Sequence, residues 1–432
     1  MTDLDYEQAR EYAANVSRSG SILGLASIEN LMKELDNVQE KLRIIHIAGT
    51  NGKGSVGAFI ERVLIEAGYR VGRYTSPAVF DPMEVWKINL NNMSHEAYAR
   101  ILSQVKEACD RLTEKGMEHP TIFEVETAMA FLYFYQEKCD YVLLEVGMGG
   151  RTDATNLIKA PVCSVLTSIS MDHMQFLGNT QEEIAYAKAG IIKEGCPVAS
   201  VNQKEEVMRV IRTEAEKLHA PLFPTDETKV SEKKAAIKNL SFMYDGLGHV
   251  VTKLTGNYQF ENCLLAITVL RDILKVKDDA ILQGIAKTVW PGRFECIGEH
   301  PLFIIDGAHN EDAAIKLAAS LENYFTNTPI TYIIGVLADK EHKKVLQTML
   351  PLADHVYTVT PDNRRAMSAD ALKAEAEQVI TSLWNHNKDR KPEVISCGSV
   401  KEAVSLAKKT TPEDGVILAF GSLSYLSELK DL

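Results

Sequence analysis

A glycine-rich segment near the start of the chain carries residue types that bind phosphate. Three glycines, a lysine and a serine occur in Gly49-Thr50-Asn51-Gly52-Lys53-Gly54-Ser55, directly after the apolar run Ile44-Ile45-His46-Ile47-Ala48. A buried strand that leads into such a turn and then a helix gathers backbone N–H groups, a helix N-terminus and an ammonium around one point. We therefore predict a phosphate-binding loop, with Lys53 reaching the phosphates and Ser55 offering its hydroxyl to Mg²⁺.

The loop departs from the common ATP-binding pattern at one position. That pattern places Ser or Thr directly after Gly-Lys, whereas Gly54 stands between Lys53 and Ser55 here. Taken alone, the segment is also compatible with a turn followed by an ordinary lysine. The combination of residue types at a strand-to-helix junction favours phosphate binding.

Other polar residues follow apolar strands. Glu145 ends the strand 140–145 and precedes Gly147, Gly149 and Gly150. Ligands of parallel sheets bind beyond the carboxyl ends of the strands, so Glu145 is placed to hold Mg²⁺, which prefers oxygen ligands. The alternative is an exposed acid at a strand end.

His173 follows the next strand and also falls at a carboxyl end. A lone histidine is more often a structural hydrogen-bonding group, and Asp172 competes with it for any metal role. The spacing of Lys188 and Lys193 favours two solvated helix lysines.

A third group, Asp306-Gly307-Ala308-His309-Asn310, follows an apolar strand at 302–306 and opens a helix. Asp, His and Asn at such a turn suit recognition of ribose hydroxyls or of a carboxylate. The alternative is an ordinary helix N-cap formed by Asn310 or Asp306.

These groups must be positioned by alternating strands and helices. The pattern predicts helices over 55–67, 94–115 with Ser94 as N-cap, 121–137 and 259–274, and a β-hairpin insertion within 221–255. A second βα series begins at 302, with later strands at 331–336, 355–360, 392–396 and 415–420. We therefore predict an α/β protein: a mostly parallel sheet domain of the P-loop type with a small β insertion (residues 1–295), and a smaller Rossmann-like domain (residues 296–432).

The composition is that of an ordinary globular protein. The 432 residues are 45% hydrophobic and 25% charged, with a net charge of −12, which argues against a nucleic-acid or membrane-surface binder. The seven cysteines form no Cys-x-x-Cys pair, so we expect free thiols in a reducing compartment. Without a signal segment or a run of the ~18 apolar residues that a membrane span needs, we expect a cytoplasmic protein.

Taken together, the motifs resemble one family. The shared segments, in order, are Gly49 to Ser55, Thr75-Ser76-Pro77, Phe123-Glu124, Glu145-Val146-Gly147 with Gly149-Gly150 and Asp153-Ala154-Thr155-Asn156, Asp172-His173, Lys188-Ala189-Gly190-Ile191-Ile192-Lys193, Pro291-Gly292-Arg293, Asp306 to Asn310, and Gly421-Ser422-Leu423. Over nearly its full length the chain resembles folylpolyglutamate synthase and bifunctional dihydrofolate synthase, members of the Mur ligase superfamily. Gly54 is that family's form of the loop.

The resemblance implies ATP-dependent amide formation. A carboxylate of a reduced folate would become an acyl phosphate and then react with the amino group of L-glutamate. Dihydropteroate is a second acceptor that the resemblance leaves open. The partners expected are these small molecules and ATP, without nucleic acid or membrane, and the expected assembly is a monomer.

The resemblance also implies roles for individual residues. Lys53, Lys188 and His173 would be catalytic, and Lys188 matches a lysine that the family carbamylates. Two Mg²⁺ ions would be held by Ser55, Ser76, Glu145 and His173. ATP would contact Gly49, Thr50, Asn51, Gly52, Lys53, Gly54, Ser55, Asn257, Arg293 and Asp306. Substrates would contact Phe123, Glu124, Arg151, Asp153, His309, Asn310 and Ser422.

The chain departs from the family in the segment 78–86. Ala78-Val79 replaces the usual His-Leu, and Glu84-Val85-Trp86 replaces the usual Glu-Arg-Ile. Ala187 and Glu311 replace a usual glutamate and a usual proline. Because the segment 78–86 helps to shape the folate site, a related ligase that acts on a different carboxylate remains an alternative. An alternative of another class is a P-loop nucleotide switch or kinase, which would not need the second domain.

Overall fold

The computed structural model describes residues 4–17, 24–384 and 391–429. The chain divides into two compact units. The first comprises Met1–Val230, Tyr244–Gly248 and Glu261–Lys287, and the second comprises Ser231–Met243, His249–Phe260 and Thr288–Leu432. Among the helices in these described ranges, none is both long and apolar enough to cross a membrane.

The first unit contains an eight-stranded sheet of order β4-β3-β2-β5-β1-β6-β7-β8. The pairs from β2 through β8 are parallel, and β3 runs antiparallel to both β2 and β4. The strands are β1 (Ile44–Ala48), β2 (Val71–Tyr74), β3 (Trp86–Ile88), β4 (Asn91–Asn92), β5 (Tyr141–Glu145), β6 (Cys163–Leu166), β7 (Val198–Ser200) and β8 (Leu222–Pro224).

The helices that accompany this sheet confirm the predicted alternation. They are α1 (Tyr6–Val16), α2 (Ala26–Glu34), α3 (Lys53–Glu66), α4 (His95–Glu114), α5 (Ile122–Gln136), α6 (Met174–Leu177), α7 (Gln181–Ala189) and α8 (Glu205–Lys217). Ser94 caps α4 as predicted, since its side chain accepts a hydrogen bond from the Ala97 N–H. Two further helices, α9 (Gln259–Ile267) and α10 (Asp278–Lys287), lie on either side of a π-helical turn, Thr268–Ile273.

The insertion forms a three-stranded sheet rather than a simple hairpin. Its strands are β9 (Val230–Ala236), β10 (Asn239–Tyr244) and β11 (Gly248–Thr252), in the order β11-β10-β9. The edge strand β9 is exposed at every position after Val230. Its lysines and glutamate gave no apolar alternation, so the sequence did not reveal it as a strand.

The second unit contains a six-stranded sheet of order β12-β13-β17-β14-β15-β16. All its neighbouring pairs are parallel except β12 with β13. The strands are β12 (Glu295–Glu299), β13 (Leu302–Ile305), β14 (Ile330–Ile334), β15 (His355–Thr358), β16 (Glu393–Ser396) and β17 (Val416–Phe420), and the helices are α11 (Glu311–Tyr324), α12 (His342–Met349), α13 (Ala369–Leu383), α14 (Val400–Thr410) and α15 (Leu426–Leu429). The predicted fold class is therefore confirmed.

Candidate active site

The glycine-rich loop is bound to the end of the neighbouring strand β6. The backbone N–H groups of Thr50 and Asn51 both donate to the Ser168 carbonyl, at 2.8 and 3.2 Å. The Gly49 backbone passes so close to Thr167 that a Cβ on Gly49 would lie 1.8 Å from the Thr167 Oγ1. Only glycine permits this approach, so the packing of β1 against β6 determines the course of the loop.

Helix α3 begins at Lys53, two residues earlier than predicted, so that Lys53, Gly54 and Ser55 form its first turn. Gly52 precedes the helix with φ 91°, a left-handed conformation that glycine adopts without strain. The N–H groups of a first helical turn have no partner within the helix, and they are available to an anion. Ser55 is buried in this turn.

Two lysines from distant parts of the chain meet at one carbonyl of the loop. The Lys53 Nζ donates to the Gly49 carbonyl at 3.2 Å, and the Lys188 Nζ donates to the same carbonyl at 2.9 Å. Lys188 is only 4% exposed, so the expectation from spacing alone that it is a solvated helix lysine is wrong. It lies in the last turn of α7, which packs in an apolar cluster with β1 and β6.

Lys193 occupies a different environment. Its Nζ donates to the Asn156 carbonyl at 3.2 Å, and burial lowers its pKa. It is therefore not a solvated lysine either, and its hydrogen bond goes to the segment that follows β5 rather than to the loop.

Glu145 ends β5, which pairs with β1 so that Glu145 lies beside Ile47. Its Oε2 accepts a hydrogen bond of 2.7 Å from the Thr75 hydroxyl, which follows β2. Ser76 is the next residue and is partly exposed. The structure thus brings the Thr75-Ser76 segment and Glu145 together at the same sheet edge as the loop.

The polar residues at this edge fit a Mg²⁺ ion that also binds phosphate and water. Among the described ranges, no group of three or more His, Cys, Asp or Glu side chains could hold a metal ion. Protein-bound Mg²⁺ commonly uses one or two carboxylates and completes its shell with phosphate oxygens and water. One acid, Glu145, with hydroxyl groups nearby fits that pattern, and it does not fit a cage made of protein ligands alone.

His173 and Asp172 follow β6, on an exposed turn before the four-residue helix α6. The Asp172 Oδ1 accepts the His173 N–H at 2.9 Å, and the Asp172 Oδ2 lies 3.8 Å from the His173 Nε2. The imidazole is exposed and the carboxylate is mostly buried. Both side chains carry groups that can bind a metal ion, the imidazole through nitrogen and the carboxylate through oxygen.

The segment after Glu145 contains two predicted substrate residues that already have internal partners. The Asp153 Oδ2 accepts the Met148 N–H at 2.9 Å, and its Oδ1 accepts the Thr155 N–H at 3.0 Å. Burial raises the pKa of Asp153. Arg151 donates to Glu214 at 2.6 Å and lies 4.0 Å above the ring of Tyr186.

At the start of α5, two neighbouring residues that were predicted to contact substrates have different environments. Glu124 completes a capping box, because its Oε2 accepts the Thr121 N–H at 2.7 Å, and it is buried. The Phe123 ring instead extends to the segment after β5, where a Cβ on Gly147 would lie 2.5 Å from the Phe123 Cζ. Phe123 therefore lies near the sheet edge, and the Glu124 carboxylate is occupied by the helix cap.

The first unit also contains buried titratable groups that the sequence did not indicate. His46 in β1 faces Thr155, with its Nε2 2.9 Å from the Thr155 Oγ1, and burial lowers the pKa of His46 to about 3. Burial raises the pKa of Glu126 in α5 to about 7. Neither residue belongs to a recognisable motif, so the sequence gave no signal for either one.

In the second unit, Asp306 is 3% exposed and is surrounded by donors. Its Oδ2 accepts the Phe294 N–H at 2.8 Å and the Tyr258 hydroxyl, while its Oδ1 accepts the Ala308 N–H at 2.8 Å. Burial raises the pKa of Asp306, and the charge of Arg293 opposes that shift. Tyr258 was not predicted as a site residue, and its proximity to Asp306 arises only from folding.

The other predicted residues of the second unit lie around the same strand end or in adjoining turns. A Cβ on Gly307 would lie 1.9 Å from an Arg293 guanidinium nitrogen, so these two segments are in close contact. The His309 Nδ1 is 2.8 Å from the Gly307 carbonyl, and Asn310 caps α11 by accepting the Ala313 N–H at 2.9 Å.

The two remaining predicted residues also form hydrogen bonds with backbone groups. The Asn257 side chain donates to the Ala319 carbonyl at 3.1 Å. The Ser422 hydroxyl accepts the Ser424 N–H at 3.2 Å.

Comparison with known proteins shows similarity over nearly the whole chain. Residues 47–270 match the Mur ligase middle domain, and residues 292–423 match the Mur ligase glutamate ligase domain. The dihydrofolate synthase/folylpolyglutamate synthase of Bacillus subtilis is 34% identical, with 98% of each chain covered. The folylpolyglutamate synthase of Lacticaseibacillus casei is 32% identical, covering 99% of this chain and 98% of the relative.

Solved structures show the same relationship. The folylpolyglutamate synthase of Mycobacterium tuberculosis, crystallised with ADP and AMPPCP, has a TM-score of 0.89 at 28% identity. The match covers 99% of this chain and 98% of that chain. The E. coli FolC structure in complex with DHPP and ADP has a TM-score of 0.86 at 26% identity, with coverage of 99% and 98%.

Proposed function

The chain belongs to the Mur ligase family of folylpolyglutamate and dihydrofolate synthases, and from this membership we propose that it adds L-glutamate to a reduced folate with ATP. It is an ATP-dependent ligase. The observation that carries the proposal is the convergence of Lys53 and Lys188 on the Gly49 carbonyl, at the sheet edge that also holds Glu145. Dihydropteroate is the second acceptor that we propose to test.

In the proposed reaction, an oxygen of the acceptor carboxylate attacks the γ-phosphorus of ATP, and the bond to ADP breaks. The amino nitrogen of glutamate then attacks the carbonyl carbon of the acyl phosphate. An amide forms, inorganic phosphate leaves and the amine loses a proton. Phosphoryl transfer depends chiefly on positioning and on neutralising charge, and we propose that the Lys53 ammonium does this at the loop.

We propose that Mg²⁺ is bound through Ser55 or Ser76 and Glu145, with phosphate oxygens supplying further ligands. When bound, the ion would neutralise negative charge on the phosphates. The hydrogen bond from the Thr75 hydroxyl, which restricts the orientation of the Glu145 carboxylate, supports this role. A second Mg²⁺ is proposed at His173, with Asp172 as the competing ligand.

We propose that Lys188 is the lysine that becomes carbamylated. The Nζ would first lose one proton to become a neutral amine, then bond to carbon dioxide and lose a second proton, so that the cation would become a carboxylate. The burial of Lys188 beside the loop supports this role better than a solvated position would. Lys193 is excluded from the proposal because it donates to the Asn156 carbonyl instead.

For the second unit we propose nucleotide contacts by Asn257, Arg293 and Asp306, and contacts to glutamate or nucleotide by His309, Asn310 and Ser422. Support comes from the grouping of Arg293 and Asp306 around one strand end. The three hydrogen bonds that Asp306 already accepts leave it limited capacity for a ribose hydroxyl.

We also propose that the domains divide between residues 295 and 296, that the protein is a monomer and that it is located in the cytoplasm.

The segment 78–86 is relevant to the acceptor. Trp86 is 2% exposed, and its Nε1 donates to the Glu126 carbonyl at 3.1 Å, so the tryptophan belongs to the core. Ala78 is exposed and Val79 partly exposed, which leaves that end of the segment available to a substrate. A ligase for another carboxylate is therefore the second candidate.

The deciding experiment measures ADP release by the full chain with ATP and Mg²⁺, adding L-glutamate and either a reduced folate or dihydropteroate. We expect ADP release only when glutamate and one acceptor are both present, together with the glutamyl product by mass spectrometry. Release that needs neither substrate would contradict the proposal. Release with glutamate and only an unrelated carboxylate would favour the second candidate.

A further inference from the structure

An arginine lies inside the sheet of the first unit, where an apolar residue is expected. In β2, Gly72 and Tyr74 face α5, because a Cβ on Gly72 would lie 2.6 Å from Phe134 and the Tyr74 hydroxyl is 3.4 Å from the Thr127 hydroxyl. Side chains alternate along a strand, so Arg73 faces the opposite side, which α3 covers.

Helix α3 presents a matching surface to this arginine. Gly54, Gly57 and Glu61 are spaced at i, i+3 and i+7, and therefore lie on one face of the helix. The Arg73 NH1 donates to the Glu61 Oε2 at 3.0 Å, and its NH2 donates to the Gly54 carbonyl at 2.6 Å. A Cβ on Gly57 would lie 3.1 Å from the Arg73 NH2, so glycine at this position makes room for the guanidinium group.

A buried ion pair of this kind is weak evidence of a contribution to stability. Arg73 is 2% exposed and Glu61 is 1% exposed, and the Glu61 Oε1 has no hydrogen-bond partner among the residues that the structure describes. Replacing a buried ion pair by apolar residues of similar size is often neutral or stabilising, because the pair loses much hydration free energy. The arrangement therefore calls for a role beyond packing.

The contacts of Arg73 connect two parts of the candidate active site. Gly54 belongs to the first turn of α3, whose N–H groups are the ones that we propose bind the phosphates. Two residues beyond Arg73, Thr75 hydrogen-bonds Glu145. The planar guanidinium donates along two fixed directions, so it sets the position of α3 relative to the end of β2.

We propose that Arg73 is a positioning residue that holds the phosphate-binding turn in register with the Thr75–Glu145 pair. This inference deepens the proposed function and rests on its nucleotide-binding step. In this proposal the Glu61 carboxylate orients the Arg73 guanidinium group, and the absence of a side chain at Gly57 leaves room for that group.

The test compares the double variant Glu61→Leu/Arg73→Leu with the wild type. The single variant Arg73→Leu would leave the Glu61 charge buried without its partner and could fail to fold, whereas the double variant removes both charges. Arg73→Lys retains the positive charge but lacks the planar group that donates hydrogen bonds to both Glu61 and the Gly54 carbonyl. Arg62→Leu is the matched control, because Arg62 is on the same helix and pairs with Glu66 at a distance from the loop.

We expect the double variant to keep a thermal midpoint close to that of the wild type. Its dissociation constant for a non-hydrolysable ATP analogue with Mg²⁺, measured by calorimetry, should rise about tenfold or more, since a charged donor to a carbonyl is lost. The KM for ATP should rise in parallel and the KM for glutamate should stay within about twofold. Arg73→Lys should lie between the double variant and the wild type, and Arg62→Leu should match the wild type.

Unchanged analogue affinity in a folded double variant would overturn the inference. So would a loss of active protein that leaves every KM unchanged, because that is the result of a purely structural role. Calorimetry needs no ligase substrate. If the wild type binds the analogue but forms no amide with any folate, the proposed function fails, while the affinities still decide the role of Arg73.

Discussion

Lys188 is the residue whose environment most changes the interpretation of the sequence. Two lysines five positions apart predict a solvated helix surface, yet Lys188 donates to the phosphate-binding loop and Lys193 donates to Asn156. The spacing of residues along a helix does not show which part of the protein each side of the helix contacts. The family resemblance pointed to Lys188, and the structure supplies a physical reason to prefer it.

At this residue we predict that Lys188→Ala abolishes glutamate-dependent ADP release. If a carbamate provides the needed carboxylate, added short-chain carboxylic acids should restore part of the activity of the variant. The measurement is ADP release against acid concentration, with Lys193→Ala as the control that should retain activity. Full activity of Lys188→Ala without added acid would contradict the carbamate.

Glu126 supports a prediction about pH. Burial raises its pKa from 4.5 to about 7, with Tyr74 and Tyr98 facing it from β2 and α4. The folded state therefore holds the Glu126 proton more tightly than the unfolded state does. The contribution of this proton to the free energy of unfolding is complete below pH 4.5 and is lost as the pH rises through 7. Between pH 5 and 8 the loss can reach about 3 kcal/mol.

Glu126→Gln keeps the shape of the side chain and removes the titration. We predict that the variant gains unfolding free energy relative to the wild type as the pH rises from 5 to 8, measured by urea unfolding at each pH. Glu114→Gln, at an exposed position of α4, is the control and should follow the wild-type curve. A constant difference between Glu126→Gln and the wild type would show that Glu126 does not titrate in this range.

At the scale of elements, the phosphate-binding loop depends on strand packing as well as on its own residues. Gly49 lies against Thr167, and the loop N–H groups donate to Ser168. We predict that Gly49→Ala, whose Cβ would meet the Thr167 Oγ1 at 1.8 Å, displaces the loop and weakens ATP-analogue binding by tenfold or more, roughly the effect of losing one charged hydrogen bond.

Calorimetry with the analogue and Mg²⁺ measures this effect. The control is Gly68→Ala, since Gly68 also has positive φ, at 90°, but a Cβ there meets nothing within 4 Å. The control should lose some stability and keep its affinity. Equal affinities for Gly49→Ala and the wild type would show that the loop tolerates displacement.

The sequence predicted elements well wherever local chemistry determines them. Ser94 capped α4, and the continuous apolar runs became the parallel strands of both sheets. It failed for contacts that join distant elements, such as Arg73 with Gly54 or Tyr258 with Asp306. Those pairs depend on the order of strands and helices in space, which no local pattern in one sequence contains.

For the whole molecule we predict a monomer. The large apolar side chains that are exposed in the described residues come from separate elements, among them Tyr69, Leu90, Met117, Phe176 and Val289. Sedimentation should give one species near 47.9 kDa at all concentrations tested, with or without nucleotide. A mass that doubles with rising concentration would contradict the prediction.

The exposed edge strand β9 has a consequence for self-association. Glu232, Lys233 and Lys234 lie in a row of exposed residues on this edge of the small sheet. A strand from a second molecule could hydrogen-bond to β9 only by bringing its own side chains against these charges, which desolvates them. The charged row therefore opposes the addition of a strand from another molecule at this edge of the insertion.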